Sequence, residues 1–123
     1  MFGKTIFATL AALAVVSAAP AALEKKDNSG TATFYDAGLG ACGWTNSNSD
    51  YVVAVNSAQY DQSNCGKKIW IYNSATGKTV SAQAADECPS CASGDLDLSR
   101  GLFGALTNDN YDLGVFDMTW GFE

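Results

Sequence analysis

The chain has 123 residues and a formal net charge of −6, with 13 acidic side chains, 7 basic ones and no histidine. An acidic surface repels phosphate backbones and anionic lipids, so we expect neither a nucleic-acid partner nor a membrane partner. The lack of histidine excludes Ser-His-Asp and Cys-His nucleophile systems, and any catalysis would depend on carboxylates.

The first 18 residues have the pattern of a secretory signal peptide. Lys4 precedes an apolar run over residues 6–16, and small residues follow the run directly. The run is about half as long as a membrane span, so we expect a secreted protein, located outside the cell or in the cell wall. Residues 19–26 would be a short propeptide or a linker. The remaining domain, residues 27–123, has 12 acidic and 4 basic residues, a net charge of −8, and is expected to be monomeric.

Along this domain, short β-favouring runs alternate with turn-rich stretches, a pattern that predicts five strands and one short helix. The helix would have Ser99 as its N-cap and Leu102, Phe103 and Leu106 on its apolar face. Many short strands in a domain of this size indicate a compact β-barrel. The predicted strands cover residues 31–35, 51–55, 69–72, 79–85 and 114–120.

Four cysteines lie in the domain: Cys42, Cys65, Cys88 and Cys91. An even number of cysteines in an exported chain predicts two disulfides. The spacing of Cys88 and Cys91 also fits a redox motif or half of a zinc site. Neither a βαβ pattern nor a second pair of this spacing accompanies it, so we expect structural disulfides and no metal or cofactor. Spacing alone allows three connectivities, of which we favour Cys42–Cys65 with Cys88–Cys91.

Six short segments occur in an order that resembles the double-psi β-barrels of rare lipoprotein A, barwin and the first domain of expansins. The resemblance implies a mainly β fold, a six-stranded double-psi β-barrel with one or two short helices, stapled by two disulfides. The amino-acid sequence of residues 34–43 is also similar to that of secreted fungal proteins labelled riboflavin-aldehyde-forming enzyme, although no flavin or nucleotide motif is present. The six segments are residues 30–35, 40–43, 53–56, 65–66, 85–89 and 96–99.

The resemblance also implies where a functional site would lie. In these barrels polar residues converge on an open groove, and the matching residues here are Thr33, Asp86 and Asp97. Each aspartate also has a structural interpretation, because each lies where a carboxylate can accept backbone N–H bonds, Asp97 near the start of the predicted helix. Carboxylates accept hydrogen bonds from sugar hydroxyls, and aromatic rings stack on sugar rings. The aromatic candidates for such stacking are Tyr35, Trp44 and Trp70.

We therefore predict a secreted, expansin-like, single-domain protein that binds or remodels cell-wall polysaccharide, such as glucan, chitin or cellulose, without hydrolysing it. One alternative is an inhibitor of papain-like cysteine proteases, or an effector, of the barwin-like type. Such an inhibitor would insert an exposed loop into the protease cleft, and the loop over residues 38–49 is the candidate.

A second alternative is an inverting glycoside hydrolase with Asp36 as general base and Asp97 as general acid. Small inverting endoglucanases with a related barrel have an aspartate just after the first strand, followed by Cys-Gly-Trp, and Asp36 and residues 42–44 echo that order. However, Asp95 and Leu96 replace the histidine and phenylalanine that precede the acid in those enzymes, which weighs against an enzyme.

Overall fold

A computed structural model describes residues 27–123, in which six strands close into a β-barrel. The predicted signal peptide and propeptide lie outside the described residues. Two short 3-10 helices cover Gln62–Asn64 and Tyr111–Leu113. The main elements in chain order are β1 (Asn28–Tyr35), β2 (Val52–Asn56), β3 (Lys68–Asn73), β4 (Lys78–Cys88), β5 (Leu96–Ser99), α1 (Arg100–Thr107) and β6 (Phe116–Phe122).

Around the barrel, the strands follow the order β1-β5-β2-β4-β3-β6. The pairs β1–β5 and β2–β4 are parallel, and the other four pairs are antiparallel. The disulfides join Cys42 to Cys65 and Cys88 to Cys91, which is the pairing we favoured. The prediction of a six-stranded double-psi barrel with two disulfides is thereby confirmed.

β5 is the strand that the residue pattern failed to predict. It has only four residues, Leu96–Ser99, and Asp97 interrupts its apolar run. The strand is nevertheless central, because it hydrogen-bonds to β1 on one side and to β2 on the other. Long-range pairing therefore stabilises a segment whose local propensity is weak.

Alternate side chains of the strands fill the barrel interior. Val53 and Val55 of β2 and Leu96 and Leu98 of β5 are all almost completely buried, and each such side chain contributes roughly 1.5–3 kcal/mol of hydrophobic free energy. Because successive side chains of a strand point to opposite faces, the residues between them point to the outside of the barrel.

Helix α1 packs on the barrel through Leu102, Phe103 and Leu106, which are fully buried as predicted. Ser99 is the N-cap residue, but its side chain makes no capping bond. Its hydroxyl donates instead to the Asp50 carbonyl and accepts from the N–H of the first β2 residue at 3.3 Å. The capping role predicted for Ser99 is therefore right in position and wrong in contact.

Within residues 27–123, no helix is long and apolar enough to cross a membrane.

Candidate functional site

Four residues that are distant in the sequence lie in one row across four adjacent strands. Thr33 of β1 pairs with Asp97 of β5, Asp97 pairs with Ala54 of β2, and Ala54 pairs with Asp86 of β4. Paired residues project to the same side of a sheet, and here the neighbours along β2 and β5 fill the interior. The row, which we call the polar row, therefore lies on the outer surface. It brings together the three groove residues implied by the resemblance.

An irregularity in β4 sets the direction of Asp86. The register between β2 and β4 shifts after Val53, which pairs with Ala84, so that Ala54 pairs with Asp86. Ala85 is thus an extra residue in β4, as in a β-bulge. Without it, the alternation of side chains would turn Asp86 away from the polar row.

Asp97 is half-buried, and its Oδ1 accepts a hydrogen bond from the Thr33 hydroxyl at 2.8 Å. Burial raises the pKa of the Asp97 carboxyl, the hydrogen bond from Thr33 acts in the opposite direction, and the charge of Asp86 raises the pKa further. The Thr33 bond also fixes the orientation of the carboxyl group. The Asp97 carboxyl group is therefore fixed in orientation and partly desolvated, and it can accept a hydrogen bond from a ligand on the row. It does not act as a helix cap.

Tyr35 lies two positions after Thr33 on the same face of β1. Burial, followed by the charges of Asp86 and Asp97, raises the pKa of Tyr35 to about 12. The phenol therefore stays protonated at physiological pH. A neutral phenol can donate a hydrogen bond and offer its ring to a ligand.

Asp86 also fastens a loop, residues 38–46, which we call the braced loop. Its Oδ1 accepts hydrogen bonds from the backbone N–H of Ala41 at 2.7 Å and from that of the next residue in β4 at 2.8 Å. The disulfide between Cys42 and Cys65 attaches the loop a second time. Asp86 thus has the structural role considered for it in addition to its place in the polar row.

The braced loop folds back on itself through a bridge between Leu39 and Thr45. A Cβ atom added at Gly40 would lie 2.4 Å from the Ala85 carbonyl oxygen, so only glycine allows the loop to approach β4 this closely. Leu39 is 74% exposed. The loop is therefore rigidly attached and presents an apolar side chain to solvent.

The two candidate tryptophans lie at different distances from the polar row. Trp44 of the braced loop is 42% exposed, and its ring packs near Gly66 and Gln83. Gln83 lies three residues before Asp86 on β4, so this ring is about 10 Å along the strand from the end of the row. Trp70 is half-buried on β3, one strand beyond that end, and is not brought to the row.

Asp36, the candidate general base, is engaged by Arg100. Arg100 Nε donates to Asp36 Oδ1, and Asn48 Nδ2 donates to the same oxygen at 3.3 Å. The hydrogen bond and charge of Arg100 hold the pKa of the Asp36 carboxyl below its ordinary value. A carboxylate paired in this way is a weak base.

In the part of the chain that the structure describes, no group of three or more Cys, Asp or Glu side chains is placed to hold a metal ion.

Ala54 is the member of the polar row that sequence reasoning missed. It is 3% exposed and separates Asp97 on one neighbouring strand from Asp86 on the other. In the sequence it is one small residue in the apolar run Val52–Asn56, so it resembles ordinary core. Only the register of β2 with both neighbours could have identified it.

Comparison with known proteins agrees with this architecture. The model of the Barwin family matches residues 12–119. The chain belongs to the Barwin family. The resemblance to the double-psi barrel superfamily is thus confirmed, whereas the similarity to proteins labelled riboflavin-aldehyde-forming enzyme stays a prediction.

Two curated relatives of this Barwin-family chain come from a fungus and a plant. It is 39% identical over 102 residues to Allergen Asp f 7 of Aspergillus fumigatus, in a match that covers 76% of the chain and 36% of the relative. It is 34% identical over 88 residues to kiwellin of Actinidia chinensis var. chinensis, covering 60% of the chain and 40% of the relative. The matched region thus spans well under half the length of either relative.

Solved structures similar to the Barwin-family chain include an inhibitor and an expansin. Streptomyces papain inhibitor is 32% identical with a TM-score of 0.68, and the match covers 79% of the chain and 94% of the inhibitor. A variant of Clavibacter michiganensis expansin in complex with cellohexaose is 27% identical with a TM-score of 0.69, over 80% of the chain and 50% of the expansin. Cerato-platanin 3 of M. perniciosa, 20% identical with a TM-score of 0.59 over 77% of the chain and 93% of that protein, shares the fold.

Proposed function

We propose that this protein is a secreted, expansin-like module that binds cell-wall polysaccharide along the polar row without hydrolysing it. The observation that carries the proposal is the row itself, in which a hydroxyl and two carboxylates lie in one line on the outside of the barrel. The 27% identical expansin whose structure contains cellohexaose supports the choice of a glycan as ligand.

The chemistry of the row suits a sugar chain. Asp97, oriented by Thr33, accepts hydrogen bonds from sugar hydroxyls. Two strand spacings separate the Cα atoms of Asp97 and Asp86 by about 10 Å, and only the methyl group of Ala54 stands between them. This floor is covered, because Ala54 is only 3% exposed, so a sugar ring would contact the carboxylates on either side of it. Tyr35 supplies a phenol at the edge of this floor.

The state of the other two carboxylates supports binding without hydrolysis. An inverting hydrolase needs a general base that activates water opposite the general acid. Asp36 is ion-paired with Arg100, and Asp86 accepts two backbone N–H bonds. Neither group is set up as a base for Asp97, so Asp97 serves as a ligand-binding residue.

The charge and the disulfides support the proposed location and the proposed class of polymer. Two disulfides form and persist in an oxidising compartment, in agreement with a signal peptide over residues 1–18, a propeptide or linker over 19–26 and a domain over 27–123. The domain's net charge of −8 disfavours anionic polymers. The proposed ligands are therefore neutral glucan, chitin or cellulose, outside the cell or in the cell wall.

The experiment is a pull-down of the purified, oxidised protein on insoluble chitin, cellulose and fungal wall glucan, with assay of released sugar. We expect binding to at least one polymer, no sugar release, and about tenfold weaker binding for Asp97→Asn, since a hydrogen bond to a charged group contributes about 1.5–3 kcal/mol. Asp112→Asn is the matched control, because it removes the same charge from an exposed site elsewhere. Binding to none of the polymers refutes the proposal, and sugar release that Asp97→Asn abolishes makes the protein a hydrolase.

A second candidate function is inhibition of papain-like cysteine proteases. It is favoured by the Streptomyces papain inhibitor, 94% of which aligns with this chain at 32% identity. The braced loop is the segment suited to enter a protease cleft, because it is anchored by Asp86 and by a disulfide and exposes Leu39. Pre-organised loops bind with a small loss of conformational entropy.

Inhibition of papain by the purified protein tests this candidate. We expect Leu39→Glu to weaken inhibition at least about tenfold, because it puts a charge on the apolar contact. Leu113→Glu is the matched control, since Leu113 is also exposed but lies outside the braced loop. Papain that keeps full activity at micromolar protein would rule out this function.

A further inference from the structure

We propose that the barrel carries a second sugar-binding pocket, formed by β1, β6 and β3, that takes one or two units of a neutral saccharide. The choice of a cell-wall saccharide rests on the proposed function, but the pocket itself stands apart from the polar row. It consists of a cavity, an exposed aromatic ring and a set of hydroxyl groups.

The pocket is built by the same register principle as the polar row. Ser29 of β1 pairs with Thr119 of β6, and Thr119 pairs with Tyr72 of β3. Thr31 of β1 pairs with Asp117 of β6. These side chains line a cavity of about 440 Å³ on the outside of the barrel, a volume within the range of small-molecule sites.

The lining fits a neutral, hydroxyl-rich ligand. Serine and threonine hydroxyls both donate and accept hydrogen bonds, as sugar hydroxyls do. Unlike Thr33, whose hydroxyl donates to Asp97, the cavity hydroxyls form no hydrogen bond to other groups of residues 27–123, so they are available to a ligand. The hydroxyls in question belong to Ser29, Thr31, Ser74 and Thr119.

An aromatic ring and a single charge complete the chemistry. Tyr72 is 36% exposed and lines the cavity, where its ring can stack on the apolar face of a sugar. Asp117 is the charged residue of the lining, and the cavity-lining residues of the described chain include no cation. Phosphorylated or otherwise anionic ligands are therefore disfavoured.

The pocket and the polar row are neighbours that extend to opposite sides of β1. Thr31 of the pocket and Thr33 of the row lie on the same face of β1, about 7 Å apart along the strand. From β1 the row continues over β5, β2 and β4, whereas the pocket continues over β6 and β3. Two sites on one rigid barrel give a polymer two points of attachment, which strengthens overall binding although each site alone is weak.

The test is an NMR titration of the purified, 15N-labelled full chain with cellotetraose, chitotetraose and laminaritetraose. For one of these sugars we expect two groups of shifted amides that saturate at different concentrations. One group belongs to the polar row, and the other to residues 29–31, 72–74 and 117–119. Tyr72→Ala should weaken binding in the second group about five- to tenfold, as expected for loss of a stacking contact, and leave the first unchanged. Tyr51→Ala is the matched control, because Tyr51 is 43% exposed and lines neither site.

The outcomes separate this proposal from the proposed function. Shifts in the polar row with none around Tyr72, or a Tyr72→Ala protein that binds all three sugars as the wild type does, would overturn the second pocket. Shifts around Tyr72 that persist when the row gives none would uphold the pocket and refute the row as a glycan site. Thr119→Trp, which fills the cavity from a half-buried position, should give the same loss as Tyr72→Ala.

Discussion

Asp86 and Asp97 lie on the same outer row of the barrel, two strands apart, and the charge of Asp86 raises the pKa of Asp97. The two carboxyl groups differ in their surroundings, since Asp86 is held by backbone N–H groups of the braced loop and Asp97 by the Thr33 hydroxyl. One carboxylate is thus committed to structure and the other is more available to a ligand.

Replacing Ala54 by leucine should weaken the proposed polysaccharide binding. The larger side chain would occupy the floor between Asp86 and Asp97, and we expect affinity for the bound polymer to fall at least about tenfold. Overpacking costs about 1–3 kcal/mol, so circular dichroism must show that the variant is folded. Ala58→Leu, in an exposed turn, is the control. A folded Ala54→Leu protein that binds normally would show that the ligand lies elsewhere.

Asp97→Asn should stabilise the fold at neutral pH. Burial raises the pKa of Asp97 in the folded state, so its contribution to stability is fully present below the ordinary aspartate pKa and is lost as pH rises through the folded pKa. Asparagine removes this loss and can still accept the Thr33 hydrogen bond. We expect a gain below about 1 kcal/mol, a few degrees in Tm, that shrinks between about pH 7 and about pH 3. A lower Tm for Asp97→Asn at neutral pH would contradict the burial argument.

Asp86→Asn should lower the pKa of Asp97 and of Tyr35. The charge of Asp86 raises both values, and the asparagine oxygen can keep the hydrogen bond from Ala41. Carboxyl 13C NMR follows the titration of Asp97. Ultraviolet absorbance, recorded as the pH is raised into the alkaline range, follows the ionisation of the Tyr35 phenol. Asp112→Asn should leave both titrations where they are. If Asp86→Asn does the same, the two carboxylates are too far apart to interact.

The two disulfides should contribute unequally to stability. Cys42–Cys65 closes a loop with a sequence separation of 23, and Cys88–Cys91 one of 3. Loop-closure entropy then assigns about 3 kcal/mol to the first and about 2 kcal/mol to the second. Double serine variants of each pair, compared by urea denaturation, measure the difference. Equal losses would indicate that strain or residual structure outweighs chain entropy here.

Local patterns predicted those features of the fold that depend on neighbouring residues. Alternation along residues 114–120 predicted β6, observed at Phe116–Phe122, and the apolar spacing of Leu102, Phe103 and Leu106 predicted α1. The site residues Thr33, Asp86 and Asp97 came from resemblance to a known superfamily, because no local pattern distinguishes them from ordinary surface or capping residues.

Features that depend on register between distant strands could not be predicted in this way. β5 alternates apolar and polar residues over only four positions, too short a run to predict a strand, and its strand character comes from its two neighbours. The extra residue Ala85 and the floor residue Ala54 have meaning only once β2 and β4 are paired. The cavity beside Tyr72 likewise depends on the pairing of β6 with both β1 and β3.

Thr33 and Asp97 are 64 positions apart along the chain, and this separation has a consequence for how the protein would behave on a bound polymer. Unfolding that separates β1 from β5 would break up the polar row, so binding to the row requires these strands to be paired. Any polymer that binds the row must then stabilise the barrel by mass action. Molecules attached to a wall would consequently resist heat and proteolysis for longer than free molecules, because the bound polymer stabilises their native state.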